Sequence, residues 1–180
     1  MKHILIVGSR GVGKSTLIRR VLTELGRPVS GFETKKEDSL ADEFLGSPVY
    51  IYDAWQTREQ TADRLVGYCK HKCLDTMKEA FDRYAPKLLA PVPKGHIILL
   101  DELGFMESAS EAFCSSVLAL LDGDIPVIAA VKEKDTAFLN AVRSHPKGKC
   151  FYISEDNRDA LYPEVLHFLQ EQLLSQEKED

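Results

Sequence analysis

Residues 3–15 read His3-Ile4-Leu5-Ile6-Val7-Gly8-Ser9-Arg10-Gly11-Val12-Gly13-Lys14-Ser15, an apolar run followed by the pattern GxxxxGK and a hydroxyl residue. The run at 3–7 has strand composition, and residues 14–25 beyond it carry helical spacing closed by Gly26. The pattern therefore stands between a strand and a helix, where a phosphate-binding loop has to stand. Gly8, Gly11 and Gly13 free the backbone for conformations closed to residues with a Cβ, so that successive N–H groups turn inward on phosphate oxygens. The helix adds the partial positive charge of its N-terminus. In this reading Gly8, Ser9, Arg10, Gly11, Val12, Gly13, Lys14, Ser15 and Thr16 cradle the phosphates of a nucleoside triphosphate. Lys14 reaches the β- and γ-phosphates, Thr16 holds the α-phosphate, and Ser15 offers its hydroxyl to Mg²⁺.

Outward from the loop, short apolar or β-branched runs alternate with helix-period segments. Residues 28–34, 48–52, 96–101, 125–131 and 149–154 read as further strands, several apolar throughout, as strands covered on both faces must be. A helix is expected over 108–122, opened by a capping box from Ser108 to Glu111. Between Thr57 and Ala85 the positions Cys73, Met77, Phe81 and Tyr84 recur at helical spacing, and Pro86 should kink or end that helix. A last helix is expected from Pro163 past Leu174, with the acidic tail at 175–180 frayed. Alternation of this kind predicts an α/β fold in three layers, a mostly parallel sheet with helices on both faces and right-handed crossovers. Ligands then bind beyond the carboxyl ends of the strands.

Bulk composition narrows the field. The 180 residues, 44% hydrophobic and 28% charged, suit a single domain over 1–180, and no Pro/Gly/Ser-rich linker divides them. The net charge of −5 weighs against nucleic acid as a main ligand, because phosphate-backbone binding needs a surplus of Lys and Arg. The pairs Arg19 and Arg20, Lys35 and Lys36, and Lys70 and Lys72 read first as solvated faces. The apolar run at 4–7 is too short for a secretory signal, nothing later has the length of a membrane span, and a cytoplasmic location is expected. Cys69, Cys73, Cys114 and Cys150 are expected as reduced thiols. Cys69-Lys70-His71-Lys72-Cys73 lacks a second Cys/His pair at zinc spacing.

The run His96-Ile97-Ile98-Leu99-Leu100-Asp101-Glu102 is a buried strand ending in two carboxylates on the ligand edge. Asp101 is expected to orient Mg²⁺ through a coordinated water, and Glu102 to sit beside the γ-phosphate as general base toward water. A solvated Asp-Glu turn is the competing reading. Asp101-Glu102-Leu103-Gly104 also fits the DxxG pattern of GTP-binding switches. The guanine-reading Asn-Lys-x-Asp is missing after the strand at 125–131, where Val131-Lys132-Glu133-Lys134-Asp135 stands instead.

With these residues the chain resembles the thermophile-type nucleoside-triphosphatase family, which includes the cancer-related nucleoside-triphosphatase. The likeness is carried by the phosphate loop, Val29-Ser30-Gly31-Phe32-Glu33-Thr34, Leu100 to Glu107, and Ser154-Glu155-Asp156-Asn157-Arg158-Asp159, with Val66-Gly67-Tyr68 as a weaker fifth segment. The resemblance implies a RecA-like sheet, slow Mg²⁺-dependent hydrolysis of several NTPs to NDP and phosphate, and a place for Glu102 and Glu107 near the nucleotide. The chain departs from the family at Lys35-Lys36, where acidic residues are common, and at Asp42-Glu43-Phe44-Leu45-Gly46, in place of a basic, Gly-rich hairpin. Base preference and any partner surface over 35–66 stay open.

Three further candidates have two readings each. Arg158 follows the last strand and either contacts base, ribose or phosphate, or is a surface cation beside a turn shaped by Asn157 and Asp159. Glu107 either lies by the nucleotide or favours a helix N-terminus. Thr34 either touches the γ-phosphate or its water, or is a plain strand residue. At the level of function, a P-loop kinase and a nucleotide-dependent binding or switch module stand as alternatives to hydrolysis.

Overall fold

The computed structural model describes residues 2–70 and 74–179. The apolar alternation of its first strand, β1 (His3–Gly8), decides its layering: Leu5 and Val7 face one side of the sheet, Ile4 and Ile6 the other, and all four are buried. A strand buried on both faces has to lie inside a sheet covered by helices on both sides. The remaining elements are α1 (Lys14–Leu25), β2 (Val29–Lys36), β3 (Pro48–Asp53), β4 (Leu65–Tyr68), α2 (Leu74–Leu88), β5 (Ile97–Leu103), α3 (Glu111–Asp122), β6 (Val127–Lys132), α4 (Ala137–Arg143), β7 (Gly148–Tyr152) and α5 (Arg158–Glu179).

The strands form one sheet in the order β4-β3-β2-β5-β6-β1-β7. From β2 to β7 every pairing is parallel, whereas β3 and β4 extend it antiparallel. Leu5, Val7, Leu100, Ala129 and Val131 pack with Phe81, Phe113, Val117 and Leu139 of α2, α3 and α4. Ile4, Ile6, Leu99 and Ile128 pack with Ile18 and Val21 of α1 and Val165 and Leu169 of α5. This is the expected three-layer α/β fold. β6 is inserted between the loop strand β1 and the acid strand β5, so both deliver their carboxyl ends to one edge with β6 between them.

Three expectations about elements are corrected. The helical spacing found between Thr57 and Ala85 belongs to α2 alone; a short 3₁₀ turn and β4 precede it, with Val66 and Gly67 buried where β4 pairs with β3. Within α2, Met77, Phe81 and Tyr84 are buried as the spacing required, while Cys73 lies outside the described residues. Pro86 does not end α2, which runs to Leu88 because Ala85 and Leu88 on either side of the proline are buried in the core. Ser108 does not cap α3. A 3₁₀ turn over Glu107–Ala109 comes first, and Ser110 Oγ accepts from Phe113 N at 3.0 Å as the cap. α5 starts at Arg158 rather than Pro163, since Leu161 N already donates to Asn157 O at 2.9 Å and Leu161 and Val165 share one buried face. A further helix, α4, lies beyond the elements expected from sequence, and Thr136 caps it by accepting from Leu139 N at 3.1 Å. No helix among the described residues is long and apolar enough to cross a membrane.

Candidate nucleotide site

The loop from Gly8 to Ser15 leaves the carboxyl end of β1 and enters α1 directly. Gly11 and Gly13 have φ of 84° and 104°, a region that residues with a Cβ rarely enter, which explains glycine at both. Gly8 is required for a different reason: a Cβ there would stand 2.7 Å from the Ile153 carbonyl oxygen at the end of β7. No side-chain cap bonds the α1 N-terminus and its first turn carries no acid, so the helix start keeps its positive character. Lys14, 3% exposed, folds back over the loop, its Nζ donating to Gly8 O at 3.0 Å and Ser9 O at 2.8 Å.

Across from the loop, β5 ends in Asp101 and Glu102, with an irregularity in its register against β6. Ser15 Oγ donates to Asp101 Oδ1 at 2.8 Å, and Lys35 Nζ of β2 donates to Oδ2 at 3.0 Å. Glu102 lies between two ammonium groups, Lys14 Nζ on Oε2 at 2.9 Å and Lys132 Nζ on Oε1 at 2.8 Å. Burial works to raise the Glu102 pKa, but Lys132 and Lys14 outweigh it and hold the carboxyl below its ordinary range. The Glu102 N–H donates to Thr34 Oγ1 at 3.2 Å, which ties the acid strand to β2.

Glu107 is fully covered in the turn after β5 and accepts from Gly104 N at 2.7 Å. Burial pushes its carboxyl up to about 7, against the pull of the Gly104 amide and Lys132. Glu102, Glu107, Thr34, Ser9, Arg10, Lys36, Phe105 and Lys132 are among the groups around a cavity of about 450 Å³. On the other side of the loop, Gly13, Thr16, Arg20, Arg158 and Tyr162 border a cavity of about 230 Å³. There the Arg20 guanidinium lies 3.7 Å from the Tyr162 ring centroid. Asn157 shapes the turn before α5, accepting from Ser154 N at 2.8 Å and donating to Tyr152 O at 2.9 Å.

The candidates named from sequence thus converge on one edge. Glu102, Thr34 and Glu107 line the larger cavity, Lys14 joins them through its contact with Glu102, Ser15 meets the neighbouring Asp101, and Thr16 and Arg158 border the smaller one. Three features escaped the sequence reading. Lys35, whose pairing with Lys36 points to a solvated face, instead sits on Asp101. Lys132 was seen only as part of a missing guanine motif. Glu33, buried in β2, is clasped by Arg19 at 2.6 Å and Arg58 at 2.9 Å, which ties β2 to α1. The position of Lys132 directly after the apolar run of β6 was the available signal for it.

The residues suit Mg²⁺. Ser15 and Asp101 supply a hydroxyl and a carboxylate oxygen, hard donors of the kind Mg²⁺ takes along with substrate phosphates and water. Among the described residues no group of three or more His, Cys, Asp or Glu side chains could form an all-protein cage. Cys69 is an exposed free thiol, while His71, Lys72 and Cys73 lie outside the described residues.

A glycine loop running into a helix N-terminus, faced by a strand-end acid pair on a parallel three-layer sheet, defines a P-loop nucleotide-binding α/β protein. The match is more particular than the class. Residues 3–166 match the model of the NTPase family, NTPase_1, and the chain belongs to that family. It is 30% identical over 92% of each chain to the nucleoside-triphosphatase THEP1 of Thermotoga petrophila. It is also 28% identical to the mouse cancer-related nucleoside-triphosphatase homolog, over 94% of this chain and 97% of that one. The solution structure of a human cancer-related nucleoside triphosphatase shares the fold, with a TM-score of 0.65 and 22% identity over 95% of this chain and 98% of that one.

Proposed function

We propose that this chain hydrolyses nucleoside triphosphates to the diphosphate and phosphate with Mg²⁺ as cofactor. The observation that carries the reading is the meeting of Lys14 and Glu102 at 2.9 Å, which brings the loop cation for the γ-phosphate and a candidate base to one point. Ser15 and Asp101 would hold Mg²⁺, which supplies charge neutralisation on the phosphates when bound. The loop N–H groups and Lys14 fix the triphosphate and draw charge off the β–γ bridge. Glu102 accepts a proton from a water whose oxygen attacks the γ-phosphorus, and the bond to the bridging oxygen breaks to release the diphosphate. The reaction asks the protein mainly for positioning and charge.

Base tolerance is expected to be broad. Arg20, Tyr162 and Arg158 offer flat and cationic surfaces beside the loop, and stacking on such faces depends little on ring substituents. The test is phosphate release from ATP, GTP, CTP and UTP with Mg²⁺ by wild type and Glu102→Gln. The variant should keep nucleotide binding and lose about 10²- to 10⁴-fold in kcat. Undiminished hydrolysis would remove Glu102 as the base.

One observation favours a second reading, phosphoryl transfer to a small acceptor. The cavity of about 450 Å³ extends from the loop and Glu102 to Val49, Tyr68 and Met106, lining that a γ-phosphate and one water do not require. Diphosphate formed in excess of free phosphate when a hydroxyl-bearing acceptor is added would favour it.

A further inference from the structure

Lys132 occupies a place that the phosphate loop alone does not explain. It ends β6, the strand inserted between the loop strand and the acid strand, and its Cα pairs in register with Gly8, the first residue of the loop. Arg143 Nη1 donates to its carbonyl at 3.1 Å and Glu133 N donates to Gly8 O at 3.3 Å, so this strand end is fixed against the loop. The side chain crosses Gly104, where a Cβ would stand 2.9 Å from Lys132 Cδ and 3.2 Å from its Nζ. Its ammonium ends on Glu102 Oε1, while Lys14 holds Oε2. One carboxylate thus separates the loop lysine from a second lysine supplied by another strand; Lys132 and Glu102 border the larger cavity, and Lys14 meets it through Glu102.

We propose that Lys132 is a γ-phosphate ligand that exchanges Glu102 for the terminal phosphate when a triphosphate binds, and so releases the carboxylate toward water. This rests on the hydrolase reading above. Charge drives the exchange. Two ammonium groups share a single negative charge on Glu102, whereas a γ-phosphate carries more negative charge and three oxygens, and charge-assisted bonds to it are the stronger ones. While each oxygen of Glu102 accepts from a lysine, an attacking water has to compete with two ammonium groups for the carboxylate. A diphosphate ends at the β-phosphate, which Lys14 and the loop serve, and gives Lys132 no new partner. The exchange therefore ties the base to the presence of the third phosphate.

The experiment is calorimetric titration of wild type, Lys132→Met, Lys132→Arg and Gly104→Ala with AMPPNP and GMPPNP against ADP and GDP in Mg²⁺, alongside phosphate release from ATP and GTP. Lys132→Met is expected to weaken binding of the imido-triphosphates by about tenfold or more and leave the diphosphates within twofold, with a fall in kcat. Lys132→Arg should recover much of the triphosphate preference. Gly104→Ala, which removes no charge and whose closest approach is to the Lys132 stem, with Glu107 Oε2 next at 3.2 Å, should move in the same direction as Lys132→Met. Equal losses for triphosphate and diphosphate, or none for either, would overturn the proposal and leave Lys132 as a strap between β5 and β6. Circular dichroism and Tm identify a variant that misfolds, in which case Lys132→Arg and Gly104→Ala decide. If wild type binds both nucleotide classes and releases no phosphate, the hydrolase reading fails while the triphosphate preference still tests Lys132.

Discussion

The phosphate loop and the acid pair that faces it are built in opposite ways. The loop is one run of consecutive residues whose shape follows from glycine at Gly11 and Gly13 and from the close approach at Gly8. Asp101 and Glu102 are neighbours in sequence, yet their partners come from α1, β2 and β6: Ser15 and Lys35 on the first, Lys14, Lys132 and Thr34 on the second. A substitution in the loop acts where it is made. A substitution around the acids redistributes charge among groups that share it. The grip on phosphate is therefore a local property, and the chemistry performed on that phosphate is set by sheet register.

Lys14 belongs to both regions, so Lys14→Ala should have the largest effect. Loss of one charged partner from a buried contact costs about 2–5 kcal/mol, which is of order 30- to several-thousand-fold in affinity. Calorimetry with a non-hydrolysable triphosphate measures it, and wild-type affinity in the variant would break the loop reading itself.

Lys35→Ala separates the regions, because Lys35 touches Asp101 and no loop residue among the contacts described. Removing it frees Asp101 Oδ2, and a partly buried pair on the scale of 1 kcal/mol should lower the Mg²⁺ concentration for half-maximal hydrolysis about fivefold. A rise instead would mean that Lys35 serves the triphosphate more than it occupies the carboxylate.

The smallest effect is expected at Glu107, which stands apart from the ion pairs. Its carboxyl, raised by burial from an ordinary value of 4.5 to about 7, is favoured in the neutral form in the folded chain. The stability that this form contributes is complete below the unfolded value and is lost as pH rises through about 7. Glu107→Gln keeps an acceptor for Gly104 N and cannot ionise. Its Tm should gain on wild type between pH 5 and pH 8, and parallel Tm curves over that range would count against the buried neutral acid.

The loop, its flanking strand and helix, and the acid strand were legible in sequence because each is specified by neighbours along the chain. Lys132 was not legible, because its importance depends on β6 lying between β1 and β5 and on Lys132 falling opposite Gly8, and register is set by the whole sheet. The start of α3 departs from the sequence pattern for a related reason. Ser108 and Glu111 have capping-box spacing, but burial of Glu107 in a 3₁₀ turn moves the helix start on to Ser110. β4 was missed because four residues between polar turns carry too little periodicity, and only pairing with β3 makes them a strand. At Asn157, both polar atoms serve the turn, in line with the alternative reading.

The contact between Gly8 and Ile153 has a mechanical consequence. Ile153 N donates to Val7 O at 2.9 Å, and the missing Cβ of Gly8 lets the end of β7 close directly on the start of the loop. The loop therefore starts from a point held against the residue that follows β7, and any side chain at Gly8 would have to push that strand end away before it could reshape the loop.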